Sequence, residues 1–582
     1  EPMAVRGSGR EHPKQLGIED DRFLEGLRDV VGIIHEEAAL ACCHLNHAGR
    51  AANPKASGGV PLAPSVIECP ASGQTAQALT LAQIEDILEG YRRAACRAWW
   101  SGYDAIEVQL GHGYLVAQFL SPRTNHRADQ YGGSLENRLR FAGDVLDAVV
   151  DGMDGELPLI VRISGDEMVE GGLGPGDLAP LLELAEARGA VAVHVGMGSA
   201  CDTPPWYYAH MALPFEPQER ALGKIAGLTS LPLIVAGRMG EPERMERLLA
   251  GPAQLVALAR PLVADPDLPR KVVEGRFDEI TLCGSCLQGC LFRVKQGRPI
   301  ACIVNPEVGR VEPLVPASEP RRIVVIGGGP AGIEAAVTLA RRGHRVTLYE
   351  REERLGGQFA LAPRAPGKER MTLPLESLIR RLEHAGVEVH TGTAVTPELV
   401  ERERPDAVVL ATGARPVELS IPGMEAVRVL TGTRFFETEP DVGRRVLVIG
   451  GGMIGMEAAE HLAGLGVEVT VVEMLEEIAR DMEPVTRKLL LRRLERLPVT
   501  VMTSTRVEAV GPDGIDLRDA DGERITIPPV DTIIVSVGTR PNDELAGELR
   551  RRGFEVHVVG DADHPAQVIG AVESAWSAGM RI

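Results

Sequence analysis

A chain of 582 residues, 44% of them apolar, is long enough for about three or four domains with full hydrophobic cores. Asp and Glu outnumber Lys and Arg by 82 to 62, a net charge of −20 that argues against nucleic acid or an anionic membrane as partner. The most apolar long stretch, 323–340, is broken by Gly327, Gly328, Gly329, Pro330 and Gly332, so no membrane span is expected, and nine cysteines without a secretory signal point to reducing cytoplasm rather than a disulfide framework.

The first half alternates short apolar runs with helix-length segments. ALACCHLNH, YDAIEVQLG, LPLIVRISG, AVAVHVGMG, PLIVAGR and AQLVALARP read as six parallel strands, and stretches 81–100 and 135–150 have helical length and period. Repeated βα units close into a barrel when they reach eight. The chain opens on Glu-Pro, and a helix near 20–37 precedes the first of these strands. The fold expected over residues 1–275 is therefore an α/β chain's (β/α)8 TIM barrel lacking its first two βα units.

Residues 276–320 carry LCGSCLQGCLFRVKQGRPIAC, with Cys283, Cys286, Cys290 and Cys302 in C-x2-C-x3-C-x11-C spacing. Three closely spaced thiolates and a fourth after a loop are how proteins hold a [4Fe-4S] cluster. Structural zinc sites are usually built from two C-x2–4-C knuckles, which this segment lacks.

A Pro/Glu-rich connector, 306–320, leads into two glycine fingerprints. RRIVVIGGGPAGIEAAVTLARRGHRVTLYE holds Gly327, Gly329 and Gly332 and ends on Glu350; RRVLVIGGGMIGMEAAEHLAGLGVEVTVVE holds Gly450, Gly452 and Gly455 and ends on Glu473. In each, small glycines let the backbone approach a pyrophosphate at a helix N-terminus, and the acid accepts from ribose hydroxyls. A lone G-x-G-x-x-G is weak; two in strand–helix–strand context are not. Two Rossmann-like units follow, an FAD-binding domain split between 321–435 and 535–582 around an NAD(P)H-binding domain at 436–534. Glu473 repels a 2′-phosphate, and the MLEE that begins just after it offers no Arg, so NADH is favoured over NADPH.

LGGQ (355–358), VVLATGARP (408–416) and VVGDADHP (558–565) accompany the first fingerprint, and together they resemble the two-dinucleotide-binding-domain flavoproteins. The barrel half carries HLNHAGR, EVQLGHGYLVAQFLSPRTNHRADQYGGSLENRLRF, RISGDE, VAGR and ARPL, which resemble the old yellow enzyme family. Joined as they are here, the parts resemble the multidomain branch with 2,4-dienoyl-CoA reductase, 2-enoate reductases and trimethylamine dehydrogenase, over almost the whole chain.

That resemblance implies FMN in the barrel, with Gly237, Arg238, Ala259 and Arg260 at its phosphate, Arg162 beside the isoalloxazine and His44 at the pyrimidine edge. It places Glu350, Gly357, Gln358, Gly413 and Asp561 around FAD. It implies Tyr114 as proton donor, with Gln109 and His112 polarising a substrate oxygen. Alone, each arginine reads equally well as a surface ion pair, and Tyr114 reads more readily as a packing residue. Two departures stand out: relatives often have Gln where this chain has His44, and the dienoyl-CoA reductases have a histidine after strand six where this chain has Ala200 or Cys201. The loop there offers Asp202, Trp206, Tyr207, Tyr208 and His210, which suit either an apolar lid or an aromatic bowl for a methylated ammonium. The upstream strands of such barrels carry further FMN contacts.

The expected activity is electron transfer from NADH through FAD and the cluster to FMN, which reduces an activated C=C bond of a small molecule such as a 2-enoate or a CoA thioester. The alternative is oxidation of an amine or N-methyl betaine, with electrons leaving through the cluster; the intact second fingerprint weighs against it. A non-catalytic electron-transfer scaffold is a third reading. Barrel flavoproteins of this kind often self-associate.

Overall fold

A computed structural model describes residues 2–582. It divides into two compact units, Glu1–Ala209 with Leu213–Ala259, and His210–Ala212 with Arg260–Ile582.

The first unit is built on seven parallel strands in chain order: β1 (Met3–Ala4), β2 (Cys42–Asn46), β3 (Ala105–Gln109), β4 (Leu159–Ser164), β5 (Ala190–Gly196), β6 (Leu233–Ala236) and β7 (Leu255–Ala257). Six are the runs read from sequence. The seventh, β1, pairs with β2 at Met3↔Leu45 and was hidden because two residues carry no period. Helices stand between them, the longest being α1 (Leu24–Glu36), α2 (Leu81–Trp100) and α3 (Leu135–Gly152). In α2, Ile84, Ile87, Tyr91, Ala94, Ala95 and Ala98 recur three and four apart and are buried, so one stripe faces the sheet layer. Its start is fixed by a capping box: the Gln83 amide donates to Thr80 Oγ1 (3.2 Å) and the Thr80 amide to Gln83 Oε1 (2.9 Å), a motif worth about 1 kcal/mol.

Cys69 and Cys201, 132 residues apart, are joined as a disulfide. This corrects the expectation of free thiols: the pair is brought together by the fold, and local cysteine spacing gives no sign of it.

The second unit holds two parallel five-stranded sheets. The first has the order Glu388–His390, Arg345–Tyr349, Arg322–Ile326, Ala407–Leu410, Val556–Val558. The second runs Arg428–Thr431, Thr532–Val535, Arg445–Ile449, Glu468–Val472, Val499–Met502. Val556–Val558 returns to pair with Ala407–Leu410, so the second sheet is threaded into the first by a chain excursion. The antiparallel pair Ala414–Pro416 and Thr539–Pro541 marks where the excursion leaves and comes back. The central strands are Val/Ile runs buried on both faces, as in parallel sheets covered by helices. Among the described residues no helix is long and apolar enough to cross a membrane.

Candidate active site

In the first unit, residues two apart share a strand face. On that basis β2 to β5 each bring side chains of their C-terminal halves together: His44 and Asn46, Glu107 and Gln109, Arg162 and Ser164, His194 and Gly196. Register sets them side by side, His44 opposite Glu107, Gln109 opposite Arg162, and Arg162 opposite His194. Glu107 is the hub. Its Oε2 lies 2.6 Å from His194 Nδ1, and its Oε1 lies 3.3 Å from His44 Nδ1 and 3.6 Å from an Arg162 nitrogen. Burial works against this carboxylate, yet His44, the His194 hydrogen bond and Arg162 hold it well below the usual carboxylate range. Burial also pushes the His44 imidazole down to about 3 against the pull of Glu107, leaving it neutral at pH 7. Glu107 and His194 were missed from sequence; the available signal was a charged or imidazole residue inside an apolar strand, IEV and VHV.

Four buried nitrogens of this layer have no partner, His44 Nε2, Asn46 Nδ2, His194 Nε2 and Arg162 Nε, and neither has Asn46 Oδ1. Burying such groups without a hydrogen bond costs about 1–3 kcal/mol each. A flavin's pyrimidine edge alternates carbonyl acceptors with an N–H donor, so it suits a neutral His44 whose Nδ1 faces Glu107 together with the Arg162 guanidinium. The layer fits FMN.

After β3 the chain turns sharply. Gln109 ends the strand, His112 has φ 60° and Gly113 φ 69°. Gln109 Oε1 accepts from the Gly111 amide (3.2 Å) and lies 3.1 Å from His112 Nδ1, while the His112 amide donates to Ser164 Oγ (2.8 Å). Gly196 is required here because a Cβ would come within 2.2 Å of His112 Nε2. Burial, then Arg162, pushes the His112 imidazole well below its ordinary value. Tyr114 precedes the helix Leu115–Leu120 and is 0% exposed. Its hydroxyl donates to Glu11 Oε1 (2.7 Å) and meets the Tyr207 hydroxyl at 2.6 Å. Tyr207 also packs edge-on against His112, ring centroids 5.3 Å apart. Gln109, His112 and Tyr114 are thus brought together, and Tyr207 joins them. Asp202 is turned elsewhere, onto buried Arg50, Arg123 (2.7 Å) and Ser199 (2.8 Å), which leaves no carboxylate of that loop for an ammonium.

Beyond β6, Gly237 (φ 108°) and Arg238 (φ 54°) take consecutive left-handed conformations. The Arg238 guanidinium donates to the carbonyls of Leu213 and Pro214 and stacks on Phe215, 4.1 Å from its centroid. The guanidinium is thus engaged within the unit, and what this turn could offer a phosphate is its backbone. Ala259 closes the first unit, and Arg260 opens the helix Arg260–Ala264 of the second.

In the second unit Cys283, Cys286 and Cys302 pack against the core of the first Rossmann-like sheet. Ser285 and Leu287, flanking Cys286, have φ 58° and 62°, and Cys290 follows on a π-helical turn, Gln288–Arg293. Gly289 lets the loop of Cys302 press in, since a Cβ would sit 2.0 Å from the Ala301 carbonyl oxygen. Burial, then the charge of Cys290, Cys283 and Cys302, pushes Cys286 well above its ordinary value; burial pushes Cys290 to about 11 and Cys302 to about 12. Among the described residues no three His, Cys, Asp or Glu groups are set to hold a metal ion. The fit to a cluster rests on the donor set: four neighbouring thiols whose desolvation a cationic iron–sulfur core would offset.

The two glycine fingerprints divide their labour identically. A Cβ on Gly327 or Gly332 would strike Ala411 O at 2.3 Å or Gly327 O at 1.8 Å, and on Gly450 or Gly455 would strike Ser536 O at 2.3 Å or Gly450 O at 2.0 Å. The middle glycines are open: Gly329 meets nothing nearer than 3.9 Å and Gly452 nothing nearer than 3.6 Å. Outer glycines pack strand on helix, and the middle ones leave room for a pyrophosphate. Glu350 accepts from the amides of Gly328 (2.6 Å) and Glu352 (2.9 Å), Glu473 from those of Gly451 (2.6 Å) and Leu475 (2.8 Å). Gly357 (φ 51°) lies against Gly329, and Gln358 Nε2 donates to Ala414 O (3.0 Å). Gly413 (φ 71°) has open space at its α-carbon. Asp561 accepts from the Ala566 amide (3.0 Å), and burial raises its carboxyl. One group was not foreseen: Asp481 accepts from the Met453 amide (2.9 and 3.1 Å) and so caps the helix after the second fingerprint.

Residues 1–279 match the NADH:flavin oxidoreductase / NADH oxidase family, and residues 321–567 match pyridine nucleotide-disulphide oxidoreductase. The NADH oxidase of Thermoanaerobacter brockii is 36% identical over 98% of this chain and 89% of its own length. Among solved structures, 2-naphthoyl-CoA reductase in complex with 2-naphthoyl-CoA superposes with a TM-score of 0.93 at 28% identity, covering 100% of this chain and 91% of that one. Histamine dehydrogenase from Rhizobium sp. 4-9 superposes with a TM-score of 0.89 at 25% identity, covering 100% and 89%.

Proposed function

Because this chain belongs to the multidomain NADH:flavin oxidoreductases, an old yellow enzyme-like barrel joined to a pyridine nucleotide–flavin module, we propose that it reduces an activated carbon–carbon double bond with electrons from NADH. The family's cofactors are FMN, FAD, a [4Fe-4S] cluster and NAD(P)H, which when bound supply hydride chemistry at the flavins and one-electron passage at the cluster. In this reading His44 and Arg162 hold the barrel flavin, and Cys283, Cys286, Cys290 and Cys302 hold the cluster. Glu350 and Glu473 take the riboses of FAD and NADH.

One observation carries the reading: the Gln109–His112 pair stands beside a hydroxyl run that begins at Tyr114. An enone or thioester oxygen needs a hydrogen-bond donor to draw charge from the β carbon, and the α carbon then needs a proton. His112 is neutral and its one N–H faces Gln109 Oε1, so it orients that amide, the Gln109 Nε2–H is the donor left to polarise the substrate oxygen, and the phenols are the acids at hand. The 2-naphthoyl-CoA reductase likeness supports a thioester substrate. Anaerobic NADH titration of the reconstituted protein, followed optically and by EPR, tests it. NADH should bleach the flavins and a 2-enoyl thioester restore them. Bleaching by a trialkylamine with no response to NADH would overturn the reading.

A further inference from the structure

The hydroxyl run has a direction. Tyr114 donates to the Glu11 carboxylate at 2.7 Å, which commits its single proton, so the 2.6 Å contact with Tyr207 is made by the Tyr207 proton. Tyr114 is 0% exposed and lies behind Tyr207, whereas Tyr207 and Glu11, at the two ends, are each partly exposed. Tyr207 is also the member whose ring meets His112, at 5.3 Å, and the charge of Arg162 reaches it. Of the two phenols, Tyr207 therefore stands on the side of the polarising pair and the flavin-facing arginine.

We propose that Tyr207 hands the proton to the substrate carbon, and that Tyr114 and Glu11 behind it form the relay that reloads it. The proposal rests on the reductase reading above. Hydride adds to the β carbon and breaks the π bond, and the electron pair left on the α carbon takes the Tyr207 proton to form the second C–H bond. The phenolate so formed takes the Tyr114 proton, Tyr114 takes that of the Glu11 carboxyl, and Glu11 is reprotonated from water. Two electrons come from NADH and one proton from solvent. Loading Glu11 reverses the run: ionised, it receives from Tyr114; protonated, it donates and turns both hydroxyls toward the substrate. Tyr207 is the catalytic residue of this set, and Tyr114 and Glu11 are positioning residues that act through it.

The experiment follows reoxidation of the NADH-reduced, reconstituted full chain by a 2-enoyl-CoA under anaerobic stopped flow, in H2O and D2O mixtures. Tyr207→Phe and Tyr114→Phe should each slow reoxidation by about 10²-fold, and the double variant should be no slower than the slower single one. Glu11→Gln should slow it too, with Glu11→Asp restoring most of the rate. The parent should give a curved proton inventory that Tyr114→Phe makes linear. Bound FMN measured by absorbance, and circular dichroism with a thermal melt of each variant beside the parent, separate loss of the relay from loss of the fold. A Tyr207→Phe rate within twofold of the parent, beside a slow Tyr114→Phe, overturns the relay and makes Tyr114 the direct donor. A parent that NADH reduces but the thioester never reoxidises overturns the reductase reading and the relay with it.

Discussion

Glu167, at the end of the RISGDE motif, sets an acid–base demand on the barrel unit that is separate from catalysis. Burial pushes its carboxyl up from 4.5 to about 7; the Leu173 amide, Arg50 and Arg123 oppose the shift and Asp202 adds to it. The folded chain therefore holds this proton more tightly than the unfolded one between those values. Its contribution to stability is complete below pH 4.5 and is lost as pH rises through about 7. At 5% exposure the shift corresponds to something on the order of 3 kcal/mol. Glu167→Gln should flatten the fall in melting temperature between pH 5 and about 7.5, checked by thermal scans of both proteins; parallel curves would remove Glu167 as the cause. Single residues were also where the sequence was least legible. His44, Gln109, His112, Tyr114 and Arg162 could be named because they sit in recognisable strings. Glu107 and His194, which organise them, sit within strands that read as apolar, and their role exists only through register. Glu11 and Tyr207 are separated from Tyr114 by 103 and 93 positions, beyond any local pattern.

At the scale of elements, the helix Met453–Gly464 shows how a local motif can be right and still incomplete. Its glycine spacing forecast an open N-terminus for a pyrophosphate, and Gly452 provides one. Asp481, 28 residues away, places its carboxylate on the same Met453 amide. A carboxylate there is favoured by the helix dipole as a diphosphate would be, so the two compete for one donor. Asp481→Asn keeps an acceptor but removes the charge, and should lower KM for NADH about two- to fivefold with little change in kcat for flavin bleaching. Steady-state kinetics with NADH would check it; an unchanged KM means the carboxylate swings clear without cost. The fingerprint strands of both Rossmann-like sheets, Arg322–Ile326, Arg345–Tyr349, Arg445–Ile449 and Glu468–Val472, were legible because they are apolar runs beside glycines, whereas an edge strand such as Glu388–His390 carries no such run. β1 was not, because its partner β2 rather than its own two residues makes it a strand.

On the scale of the molecule, the Cys69–Cys201 bond closes a long loop spanning β3 to β5. Cross-linking a loop of 132 residues stabilises a fold by up to about 5 kcal/mol on chain-entropy grounds. Cys201→Ser should lower the urea midpoint of the barrel transition, and a thiol reductant should lower the parent's midpoint equally and leave the variant's unmoved. The second unit is organised on another principle. Its second sheet leaves the first after Pro416 and returns at Thr539, and those two residues are paired neighbours in an antiparallel ribbon. An excursion whose two ends touch can be lengthened, shortened or replaced without displacing the strands on either side. The second sheet should therefore be exchangeable as a cassette through one narrow neck, while the first sheet, which Val556–Val558 completes, keeps its register.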